Sequence, residues 1–172
     1  MQKSDLQPAE YNEYFSRYIS LVSDNTDLKK GYENDKKMVI DFFSAIPKDK
    51  LEYLYQPDKW TIKELLQHII DTERIFMYRC LRVARGDKTP LAGFEQNDYI
   101  IPSRANSKTL VSLLEEYIIT RQYSIVLLKS FTDEDLRRIG IASGNEMSAR
   151  AAAFSTIGHE IWHMNIIKER YL

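Results

Sequence analysis

Apolar residues recur every three or four positions along most of the chain, the period of helices that each bury one face. A first amphipathic segment runs from about Pro8 to Val22. A second begins near Asp27 and reaches Ile46, where Leu28, Tyr32, Asp35, Val39, Phe42 and Ile46 form the seam of a bundle helix. Pro47 and residues 48–59 connect it to a third helix with an explicit start signal. Thr61 and Glu64 make a T-x-x-E capping box, and Trp60 and Leu65 occupy the two positions of a hydrophobic staple. Leu66, Ile69, Phe76, Cys80 and Val83 continue one face until Arg85-Gly86. Residues 86–106, with Gly86, Pro90, Gly93 and Pro102, read as a long connection, of the kind that is either disordered or a lid. A fourth helix is expected from Ser107 to about Ser130, on Leu110, Leu114, Tyr117 and Leu128. Ser143-Gly144-Asn145 then marks a turn between two short extended pieces, and Ser148 caps a last helix. The pattern predicts an all-α fold, a four-helix bundle with an N-terminal helical extension, with residues 1–172 as one domain.

Charge narrows the partners. Lys and Arg number 24 against 25 Asp and Glu, a net charge of −1, which gives no electrostatic reason to expect nucleic acid or an anionic membrane. No apolar run is long enough to span a bilayer, and Met1-Gln2-Lys3-Ser4-Asp5 lacks the apolar stretch of a signal peptide, so a cytoplasmic protein is expected. A single cysteine, Cys80, excludes an internal disulfide; it lies in an apolar stripe and reads as an inert core residue. The 11 tyrosines stand largely at core spacing and are assigned to packing.

Two charges also stand in apolar stripes. Glu73 falls among Ile62, Leu66, Ile69, Phe76 and Cys80, and Arg121 among Leu110, Leu114, Tyr117 and Leu128. A buried charge must be paired, so the two are expected to meet across the bundle, with Asp35 as a further partner from its own seam.

Only three histidines occur, all on predicted helices. His159 and His163 are i and i+4, so their rings leave the last helix on one face, one turn apart. His68 lies in the third helix, roughly 110° from the centre of its stripe, and a bundle can bring it to the same point. Three neutral imidazoles suit Zn, Ni or Fe as divalent ions and leave coordination positions open. His159-Glu160-Ile161-Trp162-His163 also spells H-E-x-x-H. The extended H-x-x-G-x-x-H form is absent, since Lys168-Glu169-Arg170 follows, and no sheet edge is predicted to hold a peptide, so a protease is not expected.

Trp60 to Arg74, Gly158 to Leu172, and between them Arg79 to Asp87 and Gly93-Phe94-Glu95-Gln96, resemble the DinB-like superfamily, which includes a bacterial group assigned as metal-dependent hydrolases. The resemblance covers nearly the whole chain. It implies a four-helix bundle with one metal on His68, His159 and His163, and a homodimer. It also implies chemistry that ranges from hydrolysis to thiol S-transfer and thiol-dependent isomerisation with low-molecular-weight thiols.

Three functional readings follow for a small-molecule substrate. In the first, a hydrolase, the ion activates water, with Glu160 or Asp71 as the catalytic base nearest by helical position. In the second, a thiol S-transferase, the ion ionises a low-molecular-weight thiol whose charge is met by Arg82, Arg85 or Arg104. In the third, a stress protein, the ion is structural, although no fourth Cys or His is available to close its coordination. Asp71 or Thr72 is placed to hold the His68 ring, and Glu64 is assigned to the cap rather than to the metal.

Overall fold

A computed structural model describes all residues from Met1 to Leu172. Four long helices form the bundle: α2 (Leu28–Ser44), α3 (Ile62–Ala84), α5 (Leu110–Lys129) and α7 (Ala149–Arg170). Around the ring, α3 packs on α7 and α5, and α2 packs on the same two from the opposite side. Their starts are written locally. Asp27, Thr61, Thr109 and Ser148 each accept a hydrogen bond from a backbone N–H of the first turn, and Glu64 returns the bond to the Thr61 amide at 2.7 Å.

The segment expected as one helix over 8–22 is instead a run of short turns. Pro8–Glu10 and Glu13–Phe15 are 3-10 turns, and only α1 (Ser16–Ile19) is α-helical. Tyr11 is extended between them, and the side chains of Gln7, Glu10 and Asn12 bond nearby backbone rather than allow a continuous ladder. The extension still packs on the bundle, because Phe15, Tyr18, Ile19 and Val22 are buried. α1 crosses α7 at Gly158, where a Cβ would stand 2.1 Å from the Tyr18 carbonyl oxygen.

Residues 86–106 are not an unstructured connection. They contain α4 (Asn97–Ser103), and Leu91 is held by its amide to the Ile141 carbonyl and by its carbonyl to the Ser143 amide, both at 2.9 Å. A short α6 (Asp133–Arg137) follows α5. β1 (Ile139–Ala142) and β2 (Asn145–Ser148) then form an antiparallel hairpin closed by Ser143 and Gly144, both with positive φ. No helix is long and apolar enough to cross a membrane.

The bundle core is split. One apolar cluster of 25 residues and another of 14 are separated by a polar layer at mid-height. That layer contains Asp35 from α2, His68, Thr72 and Glu73 from α3, Thr120, Arg121 and Ser124 from α5, and His159, Glu160 and His163 from α7. Everything chemically notable about the chain's centre lies in this slice.

Candidate metal centre

α3 and α7 are neighbours, and their contact brings all three histidines together. The Nε2 of His159 lies 3.0 Å from the Nε2 of His68 and 3.0 Å from the Nε2 of His163. One donor atom from each ring falls within 4.8 Å of the others. Each ring is buried, at 3–5% exposure. Hydrogen bonding cannot account for this arrangement. A neutral imidazole nitrogen carries either one proton or one in-plane lone pair, so His159 Nε2 can satisfy one neighbour and not two. Three nitrogens on a tetrahedral ion at Zn–N distances of about 2.0–2.1 Å would lie ~3.3 Å apart, close to the two 3.0 Å separations from His159, while the three donors together fall within 4.8 Å. The donor set therefore fits a divalent ion with room for further ligands.

Protonation agrees with that fit. Burial pushes the His68 imidazole down to about 4. Burial, and then the charge the neighbouring rings would carry, holds His159 and His163 well below their ordinary value. All three are neutral at pH 7, the form in which imidazole binds a metal. Aromatic rings enclose them: Tyr18 edge-on to His159 at 5.2 Å, Trp60 beside His68 and Trp162 beside His163, each at 4.8 Å. Thr72 Oγ1 stands 3.5 Å from His68 Nδ1, so Thr72 rather than Asp71 is the residue placed to fix that ring's tautomer. His163 Nδ1 is buried without a partner.

The expected bases lie elsewhere. Glu160 leaves α7 on another side and is buried against Arg121, from which it accepts a hydrogen bond. Arg121 also donates to Glu73 from Nε and Nη2, both at 2.9 Å, so the predicted Glu73–Arg121 pair forms and Glu160 joins it. Asp35 faces the same guanidinium without reaching ion-pair distance. Burial, with Glu73 and Asp35 nearby, raises the Glu160 carboxyl to about 8 despite Arg121. Asp71 bonds Gln67 and Arg74 at 3.1 Å each and lines a different depression with Tyr99 and Ser103. Neither carboxylate bonds a histidine.

A cavity of about 450 Å³ opens beside His159, walled by Phe15, Tyr18, Phe76 and Phe94 and reached by Arg79, Glu95 and Gln96. A smaller one of about 220 Å³ lies beside His163 and Trp60, and Gln96 lines both. The 86–106 segment thus covers the histidines through Gly93–Gln96. The arginines expected at the rim are not there. Arg82 pairs with Asp87, Arg85 lies over the Phe131 ring, and Arg104 is exposed beyond α4. Arg79 occupies the cavity instead. Its sequence signal is angular: Arg79 lies within about 20° of His68 around α3, at the border of the stripe, and so faces the same side of the bundle as the histidine. Cys80 is fully buried and its thiol is raised to about 12, consistent with an inert core residue.

A family model described as the DinB superfamily matches residues 32–167. Among solved structures, YfiT from Bacillus subtilis, described as a probable metal-dependent hydrolase with an unusual four-helix bundle topology, superposes with a TM-score of 0.74. That match covers 95% of this chain and 90% of that one, at 14% identity, so the likeness is one of fold. A search of curated proteins by sequence finds no match.

Proposed function

The chain belongs to the DinB superfamily, and from that premise we propose that it is a metal-dependent hydrolase of a small molecule, with the ion on His68, His159 and His163. The observation that carries the reading is the convergence of three buried, neutral Nε2 atoms that no hydrogen-bonding scheme satisfies. A divalent Zn, Ni or Fe ion there, with no protein carboxylate to offset its charge, would supply Lewis acidity that lowers the pKa of water toward about 7 and ionises a thiol outright. The chain's own contributions are the rest. Thr72 orients His68, the aromatic ring wall keeps the dielectric low, and residues Gly93–Gln96 limit access from solvent.

Thiol S-transfer is the second reading, favoured by one specific observation. Neither Glu160 nor Asp71 is free to take a proton from water, whereas a thiol ionised at the metal needs no such base. The YfiT description supports the hydrolytic reading for that protein. The deciding experiment measures metal content and then screens ester, amide and thiol-transfer substrates on the same metal-loaded sample. His68→Ala is expected to lose most of the metal, because two ligands hold an ion far less well than three. Full stoichiometry in His68→Ala would overturn the site. With the metal retained, hydrolysis supports the first reading, and thiol transfer without hydrolysis supports the second.

A further inference from the structure

Four cationic side chains other than histidine are buried in this chain: Lys63, Arg79, Arg121 and Arg150. Three have a carboxylate at ion-pair distance, namely Glu52 for Lys63, Glu73 and Glu160 for Arg121, and Glu10 for Arg150. Arg79 has none, although it is only 3% exposed. Taking a guanidinium out of water without a counter-charge is costly, and the rest of this fold avoids it. Burial lowers the Arg79 pKa, with no opposing charge to restore it.

The guanidinium is also incompletely bonded. Nη2 donates to the Ala92 carbonyl at 3.1 Å and to Ser143 Oγ at 2.9 Å, while Nε and Nη1 donate to no protein group. Neither atom is among the sealed polar atoms of the core, and Arg79 lines the 450 Å³ cavity that His159 also lines. Phe76 and Phe94 each stand 5.7 Å from the guanidinium carbon, forming apolar walls on its flanks. The one carboxylate lining the cavity, Glu95, spends Oε1 on the amide and side chain of Asn97 and forms no ion pair with Arg79.

We propose that this cavity binds a small organic carboxylate, its anionic group on the free donors of Arg79 and its apolar body between the aromatic walls. The missing counter-charge is then the ligand's own. The metal-site reading enters only in naming what the other end meets, since a molecule anchored on Arg79 extends toward His159. Substrates of the metal centre are thereby narrowed to acids, and neutral isosteres are disfavoured.

Benzoate and its neutral counterpart benzamide probe this directly by calorimetric titration. Wild type is expected to bind benzoate about tenfold more tightly than benzamide, as befits one charge-assisted hydrogen-bonded contact. Arg79→Gln should bring the two to parity, and Arg79→Lys should keep part of the preference because it keeps the charge. In wild-type protein with labelled arginine, the Arg79 Nε–H resonance should move with benzoate and stay still with benzamide, a reading that needs no variant to fold. The preference is expected to survive removal of metal by chelation. Failure of the metal reading would therefore leave it intact, whereas a preference that vanishes with the metal places the anion on the ion and overturns the proposal. Parity in wild type, no benzoate binding at millimolar concentration, an unmoved Arg79 resonance, or a preference kept by folded Arg79→Gln would each overturn it as well.

Discussion

Arg121 is fully buried among Glu73, Glu160 and the rings of Tyr32 and Tyr117, so one guanidinium serves two carboxylates and two aromatic faces. Removing it strands two acids in the core. Arg121→Met is expected to lose about 3–5 kcal/mol in urea unfolding. Glu160→Gln should change stability by no more than about 1 kcal/mol, since an amide oxygen still accepts from Arg121 and Oε2 has no partner to lose. Metal content should be unchanged in Glu160→Gln, whose side chain faces Arg121 and not the histidines. The pairing of Glu73 with Arg121 was legible because charges in an apolar stripe have to be answered by another charge. The place of Glu160 was not, because α7 is buried almost all round from Ala149 to Glu160, and a helix without a single apolar face gives no angular reference. Arg79 stands at the border of the α3 stripe rather than within it, where nothing local distinguishes a cation that will be buried from one that will be solvated.

At the level of elements, period located α2 and α5, capping and period together located α3 and α7, and the i,i+4 spacing of His159 and His163 already placed two of the three converging histidines on one face. The extension at 8–22 misled for a physical reason. Its tyrosines and phenylalanine have helical spacing, yet its polar side chains bond neighbouring backbone and break the ladder into 3-10 turns. What anchors that extension is tertiary, the close crossing of α1 over Gly158. Gly158→Ala is expected to push the Tyr18 backbone away, at a cost of about 1–3 kcal/mol or more. It should also weaken metal retention, because Tyr18 packs against the His159 ring. Thermal melts and metal analysis of this one variant read both effects, and an unchanged melt would refute the crossing.

For the molecule as a whole, a second buried pair ties the extension to the start of α7. Arg150 Nε donates to Glu10 at 2.7 Å, with a further contact from Nη2. Burial pushes the Glu10 carboxyl up, but Arg150, the Gln7 amide and Ser148 more than offset it and hold it below its ordinary 4.5. A depressed carboxylate stabilises the fold above its unfolded pKa and ceases to do so as pH falls through the folded one. The stability gap between wild type and Glu10→Gln, about 1–3 kcal/mol at neutral pH, should therefore hold down to about pH 4.5 and shrink below it. A gap that grows on acidification would contradict the pairing.

The three converging nitrogens have a thermodynamic consequence of their own. His68 and His159 lie 91 positions apart in sequence, on different helices, so whatever joins the lone pairs is a cross-link between α3 and α7, and a reversible one. Without a cation, that point of the core holds facing electron pairs that cannot all be reconciled, and the native state carries the penalty. Under the proposed metal binding, folding and ion capture are linked, and the melting temperature is expected to rise with the logarithm of free metal and to fall when a chelator is added. His68→Ala should flatten that dependence, which makes the melting curve of the intact protein a gauge of the free ion concentration around it.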